Sequence, residues 1–152
     1  METARKKLLE FLKMGIGPEQ LALSIAMGVA LGLVPALGIA TLLCTAAAFL
    51  FRLNLPTIQL VNFIVYPLQL ALLLPFIRAG EWLFGAEPLD LSLDIIRRMI
   101  EADLLVTIIS LSSATMRAFL VWLLVAPVMV ALGYFAMTPI LRRLNLEQRN
   151  AG

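Results

Sequence analysis

The sequence has no histidine, and its one cysteine is Cys44. These absences exclude imidazole general-base chemistry, His/Cys metal centres and any internal disulfide. Charge is scarce as well: 14% of residues are charged against 61% hydrophobic, too few polar side chains to cover a water-soluble globule. The solvent such a composition expects is lipid. No Ser/Gly-rich linker divides the 152 residues, so one membrane domain is expected. No nucleophile paired with a base and no metal cluster is visible. The expectation is therefore a protein that is not an enzyme, has no cofactor and binds no nucleic acid.

The few charges are concentrated outside the apolar blocks. Arg5, Lys6, Lys7 and Lys13 outweigh Glu2 and Glu10 at the start, and Arg142, Arg143 and Arg149 outweigh Glu147 at the end. Between them, Arg78, Arg97 and Arg98 face six acids: Glu81, Glu87, Asp90, Asp94, Glu101 and Asp103. Lys and Arg beside spans favour the cytoplasmic side, so both termini are expected there. The basic start is not followed by a cleavage-like site, and no removed signal peptide is expected.

Residues 20–51 form an uncharged block of 32 residues, about 48 Å as one helix against a hydrocarbon core of about 30 Å. The stretch Leu33-Val34-Pro35-Ala36-Leu37-Gly38 lies in its middle, where Pro35 removes a donor and Gly38 permits positive φ. Two arms of roughly 22 Å are each too short to cross, which predicts a re-entrant helical hairpin with its break marked by Gly28, Gly32, Pro35 and Gly38. Small residues at four-residue spacing, Ser24, Gly28 and Gly32 on one arm and Ala36, Ala40, Cys44 and Ala48 on the other, permit close helix approach.

Residues 53–77 are long enough to span. Residues 78–103 read as a polar loop with an interfacial amphipathic helix, and 118–141 as the returning span. Arg117 is expected to divide that span from 104–116, a candidate second re-entrant arm. Residues 1–19 read as a basic amphipathic N-terminal helix and 142–152 as a basic tail. The expected fold class is an all-α integral membrane protein, a re-entrant hairpin plus transmembrane helices, with an inverted pseudo-repeat of hairpin and span.

Gly17-Pro18-Glu19-Gln20, then Ala26-Met27-Gly28-Val29-Ala30-Leu31-Gly32-Leu33-Val34-Pro35, then Arg52-Leu53-Asn54-Leu55-Pro56 follow one another in order. This pattern resembles the bacterial membrane family of the domain of unknown function 2062 over most of residues 14–85. Many members carry Asn-Pro in the next span, whereas this chain has Tyr66-Pro67 with Asn62 one turn earlier. Some members are joined to glycosyltransferase domains, which the resemblance implies as a partner class. The re-entrant plan also looks like that of DedA-type membrane proteins, linked to polyprenyl-phosphate and phospholipid transport; that is a likeness of architecture alone.

Polar side chains at membrane depth are the remaining clue, since each costs free energy unless it faces protein or water. Asn62, Tyr66 and Gln69 share one helical face that can line a cavity or bond neighbouring helices. Arg52, Arg78 and Arg117 are candidate forks for phosphate as well as interfacial anchors, with Asn54 beside the first. The expected function is a small transporter or flippase for an anionic lipid or small anion, in the bacterial cytoplasmic membrane and as a homo-oligomer. The alternative is a non-catalytic scaffold for a glycosyltransferase or other envelope enzyme.

Overall fold

Pro18 opens the first helix from a position where its missing N–H costs nothing, with Gly17 as N-cap and Glu19 in the first turn where the helix dipole favours an acid. The computed structural model describes residues 17–36, 38–89 and 92–150, and every regular element in them is helical. In chain order these are α1 (Pro18–Gly32), α2 (Ala40–Leu50), α3 (Leu55–Leu83), α4 (Leu93–Ala102) and α5 (Leu104–Asn150). Most of the expected N-terminal amphipathic helix, residues 1–16, lies outside the described residues.

The chain breaks after Gly32. Leu33 N bonds Val29 O, Val34 N bonds Leu31 O in a tightened last turn, and Gly38 has a φ of 84°. The chain then reverses through α2. That helix ends in a Schellman turn: Leu53 N donates to Ala48 O at 2.9 Å, with Arg52 in the left-handed region at φ 53°. Asn54 caps α3, its Oδ1 accepting from Thr57 N at 2.9 Å and from Thr57 Oγ1 at 2.7 Å, and Pro56 sits in the first turn. The Arg-x-Asn-x-Pro segment is thus a stop, a cap and a start in five residues.

Two bonds bring the end of α2 back beside the start of α1. Gln20 Nε2 donates to Arg52 O at 3.4 Å, and Asn54 N donates to the buried Ser24 Oγ at 3.1 Å. From there α3 runs parallel to α1. A Cβ on Gly28 would lie 2.9 Å from Val61 Cβ and 3.0 Å from Ile58 O, and one on Gly32 would lie 3.1 Å from Asn62 Oδ1. These two glycines, expected at the break, are helical residues that let α3 approach α1. The small residues of α2 do pack inward, Cys44, Ala47 and Ala48 clustering with Leu53 and Ile58.

Helix α5 returns antiparallel to both. Its backbone at Arg117 and Ala118 lies against Gly80, Gly133 lies against Ala26, and Leu141 packs on Leu21 and Ala22. At the same end Arg142 pairs with Glu19. No turn occurs at Arg117: α5 is continuous from Leu104, with Pro127 and Pro139 inside it. Since 104–116 continues in the direction of 118–141, it cannot turn back at Arg117, and the turn on which a second hairpin and an inverted repeat depend is missing. One charge in an apolar run does not break the helical hydrogen-bond ladder; a proline removes a donor from it, and none stands between Leu104 and Ala126.

Helix α3 and residues 105–144 of α5 are long and apolar enough to cross a membrane. Only 17% of the most apolar window of each is buried, unlike the core helix of a soluble protein, which suggests membrane association.

Candidate functional site

Ending a helix inside an apolar setting leaves carbonyls without donors, and each must find one. At the α1 break two side chains from other helices supply them. Trp122 Nε1 on α5 donates to Ala30 O at 2.9 Å, and Gln69 Nε2 on α3 donates to Val34 O at 2.8 Å. Both side chains are buried, Gln69 at 2% exposure. Val34, Ala40, Trp122 and Ala126 form the apolar cluster around the turn.

Asn62 lies one level nearer the start of α3. Its Nδ2 reaches Thr41 Oγ1 at 3.3 Å and Gln59 Oε1 at 3.5 Å, while Gln59 Nε2 donates to Thr41 O at 3.1 Å and Thr45 Oγ1 at 2.8 Å. Of the three residues expected on one face, Asn62 and Gln69 therefore bond the hairpin, and Tyr66 between them is exposed. Asn54 is the α3 cap described above. The N-terminus of α2 at Ile39 has no side-chain cap.

The three arginines do not converge. Arg52 is exposed beside Gln20 at the start of α3, whereas Arg78 is 23 residues along that helix, about 35 Å away. Arg78 and Arg117 are at the same end. There Arg78 Nη1 bonds Glu81 Oε2 at 2.9 Å, and Glu81 Oε1 accepts from Leu89 N at 2.7 Å, which ties the loop after α3 to its helix. Glu81 is 3% exposed, and the Arg117 charge acts on it through space. Arg117 Nε is buried without a hydrogen-bond partner among the described residues. The Arg78 end is thus a charged clasp of the fold.

A concave feature of the described residues lies along α1 and α5. It is a groove of about 730 Å³. Leu23, Met27, Ala30 and Leu31 form one wall, and Trp122, Leu123, Ala126, Pro127, Val130 and Ala131 the other. Its polar side chains besides Trp122 are Glu19, Gln20 and Tyr134, all toward the Arg52 end. The Trp122 N–H is already committed to Ala30. The Glu19–Arg142 pair stands at this mouth, and Arg52 is joined to it through Gln20. A cleft that is apolar along its length and polar at one end has the polarity of a lipid, with a hydrocarbon chain inward and a head group at the rim.

Trp122, Tyr134, Glu19 and Arg142 escape a reading of the sequence that weighs only polar residues at depth. One signal was available for Trp122: it stands in the middle of an apolar run rather than at its edge, where Trp usually sits, and its N–H there requires a partner.

The family model for DUF2062, described as an uncharacterized protein conserved in bacteria, matches residues 1–150. No curated protein and no solved structure matches the chain.

Proposed function

We propose, for a chain that belongs to the DUF2062 family of proteins conserved in bacteria, the binding of an anionic lipid within the cytoplasmic membrane, as the loading step of a small lipid transporter or flippase. The observation that supports it is the α1–α5 groove, apolar along its length and polar only at the mouth that holds Glu19, Gln20, Tyr134 and Arg142. In this reading α3 and α5 cross the bilayer, and α1 with α2 enters from the cytoplasmic side and turns back. Gln69, the level of the turn, is 14 residues beyond Leu55, so the tip reaches about 21 Å into a core of about 30 Å. The basic ends favour the cytoplasmic side, so in this reading the mouth of the groove faces it, with Arg78, Glu81 and Arg117 at the opposite surface.

In this reading a lipid chain lies along Leu23, Met27, Ala126 and Ala131, and its head group sits at the rim, where Arg142 pairs with Glu19 and Gln20 holds the Arg52 carbonyl, within reach of the two guanidinium groups. Arginine suits a phosphate oxygen because its planar fork donates two parallel hydrogen bonds. The scaffold alternative draws support from the hairpin tip, where Asn62 and Gln69 are engaged by the fold itself.

The test uses Trp122 as a reporter in a Trp82→Phe background. Phosphatidylglycerol with brominated chains is expected to quench Trp122 several-fold more than brominated phosphatidylcholine does. Ala131→Phe, which fills the groove, removes the quenching, and Arg142→Gln with Arg52→Gln removes the preference for the anionic lipid. Equal quenching by both lipids, unchanged by Ala131→Phe, refutes lipid binding here.

A further inference from the structure

The apolar run 104–141 of α5 is 38 residues long, about 57 Å, while a helix tilted by 40° in a core of about 30 Å uses only about 39 Å. With Arg117 at the outer surface, as in the membrane placement above on which this inference rests, about 12 residues of apolar helix stand outside the bilayer. One side of this arm is covered. Thr107 and Ala114 are buried, and Ala114 packs with Ile77 and with Leu89 of the loop that Glu81 holds.

The other side is open. Leu105, Ile109, Ser112, Met116 and Leu120 follow one another at spacings of four, three, four and four and are all exposed, Leu105 at 68%, Ile109 at 58% and Met116 at 59%. Val106 and Ile108 flank this stripe and are also exposed, and no charge interrupts it between Asp103 and Arg117. A stripe built from spacings of three and four is the geometry by which two helices pack at a shallow left-handed crossing. In water an apolar surface of this length calls for a cover.

We propose that the cover is a second copy of this chain, the two α5 arms lying parallel across a two-fold axis along the membrane normal. Copies inserted in one membrane share an orientation, so a two-fold axis along the normal makes equivalent helices parallel and the stripe meets itself. Self-pairing is allowed electrostatically because the stripe carries no charge, and Ser112 is small enough to let the backbones approach. Six apolar side chains at about half exposure offer on the order of 500 Å² per copy, about 1,000 Å² in all, which reaches the size of a specific interface. The seam ends at Leu120 and leaves the groove, which begins at Trp122, uncovered.

The experiment places single cysteines in a Cys44→Ala background at Leu105, Ile109, Ser112 and Met116, with Arg98→Cys as an exposed control on α4. Membrane vesicles are treated with a short bifunctional maleimide. The expected result is a dimer band at least five-fold stronger at the four seam positions than at residue 98, unchanged when the protein is diluted tenfold in lipid. In the Ile109→Cys protein, adding Leu105→Glu abolishes the band while monomer yield is kept. Cross-linking that falls with dilution in step with the control, or a cross-link to a different protein at the seam, overturns the proposal. Labelling of Arg98→Cys only from the cytoplasm overturns it by removing its placement. Seam cross-links without lipid quenching at Trp122 retain the dimer and refute only the groove.

Discussion

Arg52 occupies a position that a glycine fills at less cost. Its φ of 53° lies in the left-handed region, and the Schellman turn it completes needs no side chain there. We predict that Arg52→Gly stabilises the fold by up to about 1 kcal/mol, after allowance for the entropy glycine adds to the unfolded chain. Its thermal midpoint in detergent should rise while its preference for anionic lipid falls. A lower midpoint with unchanged lipid preference would mean that the side chain serves the fold. The two donors at the break differ in the same testable way. Trp122→Phe leaves Ala30 O with no donor among the described residues and is expected to cost about 1–3 kcal/mol. Gln69→Leu should cost less, because Val34 O still accepts from Ala36 N at 2.8 Å. Thermal midpoints of the two variants check the order.

Among the elements, α3 depends on one cap and one close crossing. Asn54→Ala removes the acceptor of both Thr57 donors, and a loss of about 1 kcal/mol is expected, read as a lower thermal midpoint. Gly80→Ala tests the crossing with α5, since the added Cβ would lie 2.9 Å from the Arg117 carbonyl carbon and 3.0 Å from Ala118 N. Backbone cannot step aside as a side-chain end can, so overpacking of about 1–3 kcal/mol should exceed the helix propensity that alanine gains. Gly32→Ala should be of similar cost, because its Cβ would lie 2.5 Å from Val65 Cγ2 on a stiff β-branched side chain and 3.3 Å from Asn62 Cα. The break at Pro35 and Gly38 was legible because a length limit and two breakers coincide there. The role of Asn54 was only half legible, since a cap and a ligand require the same side-chain oxygen. The continuity of α5 was not legible: Arg117 looked like a boundary, but its backbone packs on Gly80, a contact between residues 37 apart that a linear reading does not contain. Nor was the groove legible, because its walls come from α1 and α5, and only the fold brings Met27 beside Ala126.

At the scale of the whole molecule, every functional reading rests on which surfaces face which side. Gln20 ties Arg52, and Glu19 ties Arg142, to the start of α1, so three chain segments share one end of the bundle. Arg78, Glu81 and Arg117 share the other. If the hairpin turns back within the bilayer, the segments before α1 and after α2 are on one side and the loop after α3 is on the other. The most direct measurement is labelling by a membrane-impermeant maleimide of single cysteines at Gly17, Phe51 and Ala86 in a Cys44→Ala background, in intact cells and in inverted vesicles. The account predicts that Ala86→Cys labels in cells and that Gly17→Cys and Phe51→Cys label only in inverted vesicles. Labelling of Gly17→Cys and Phe51→Cys from opposite sides would make the hairpin a full crossing and contradict the account.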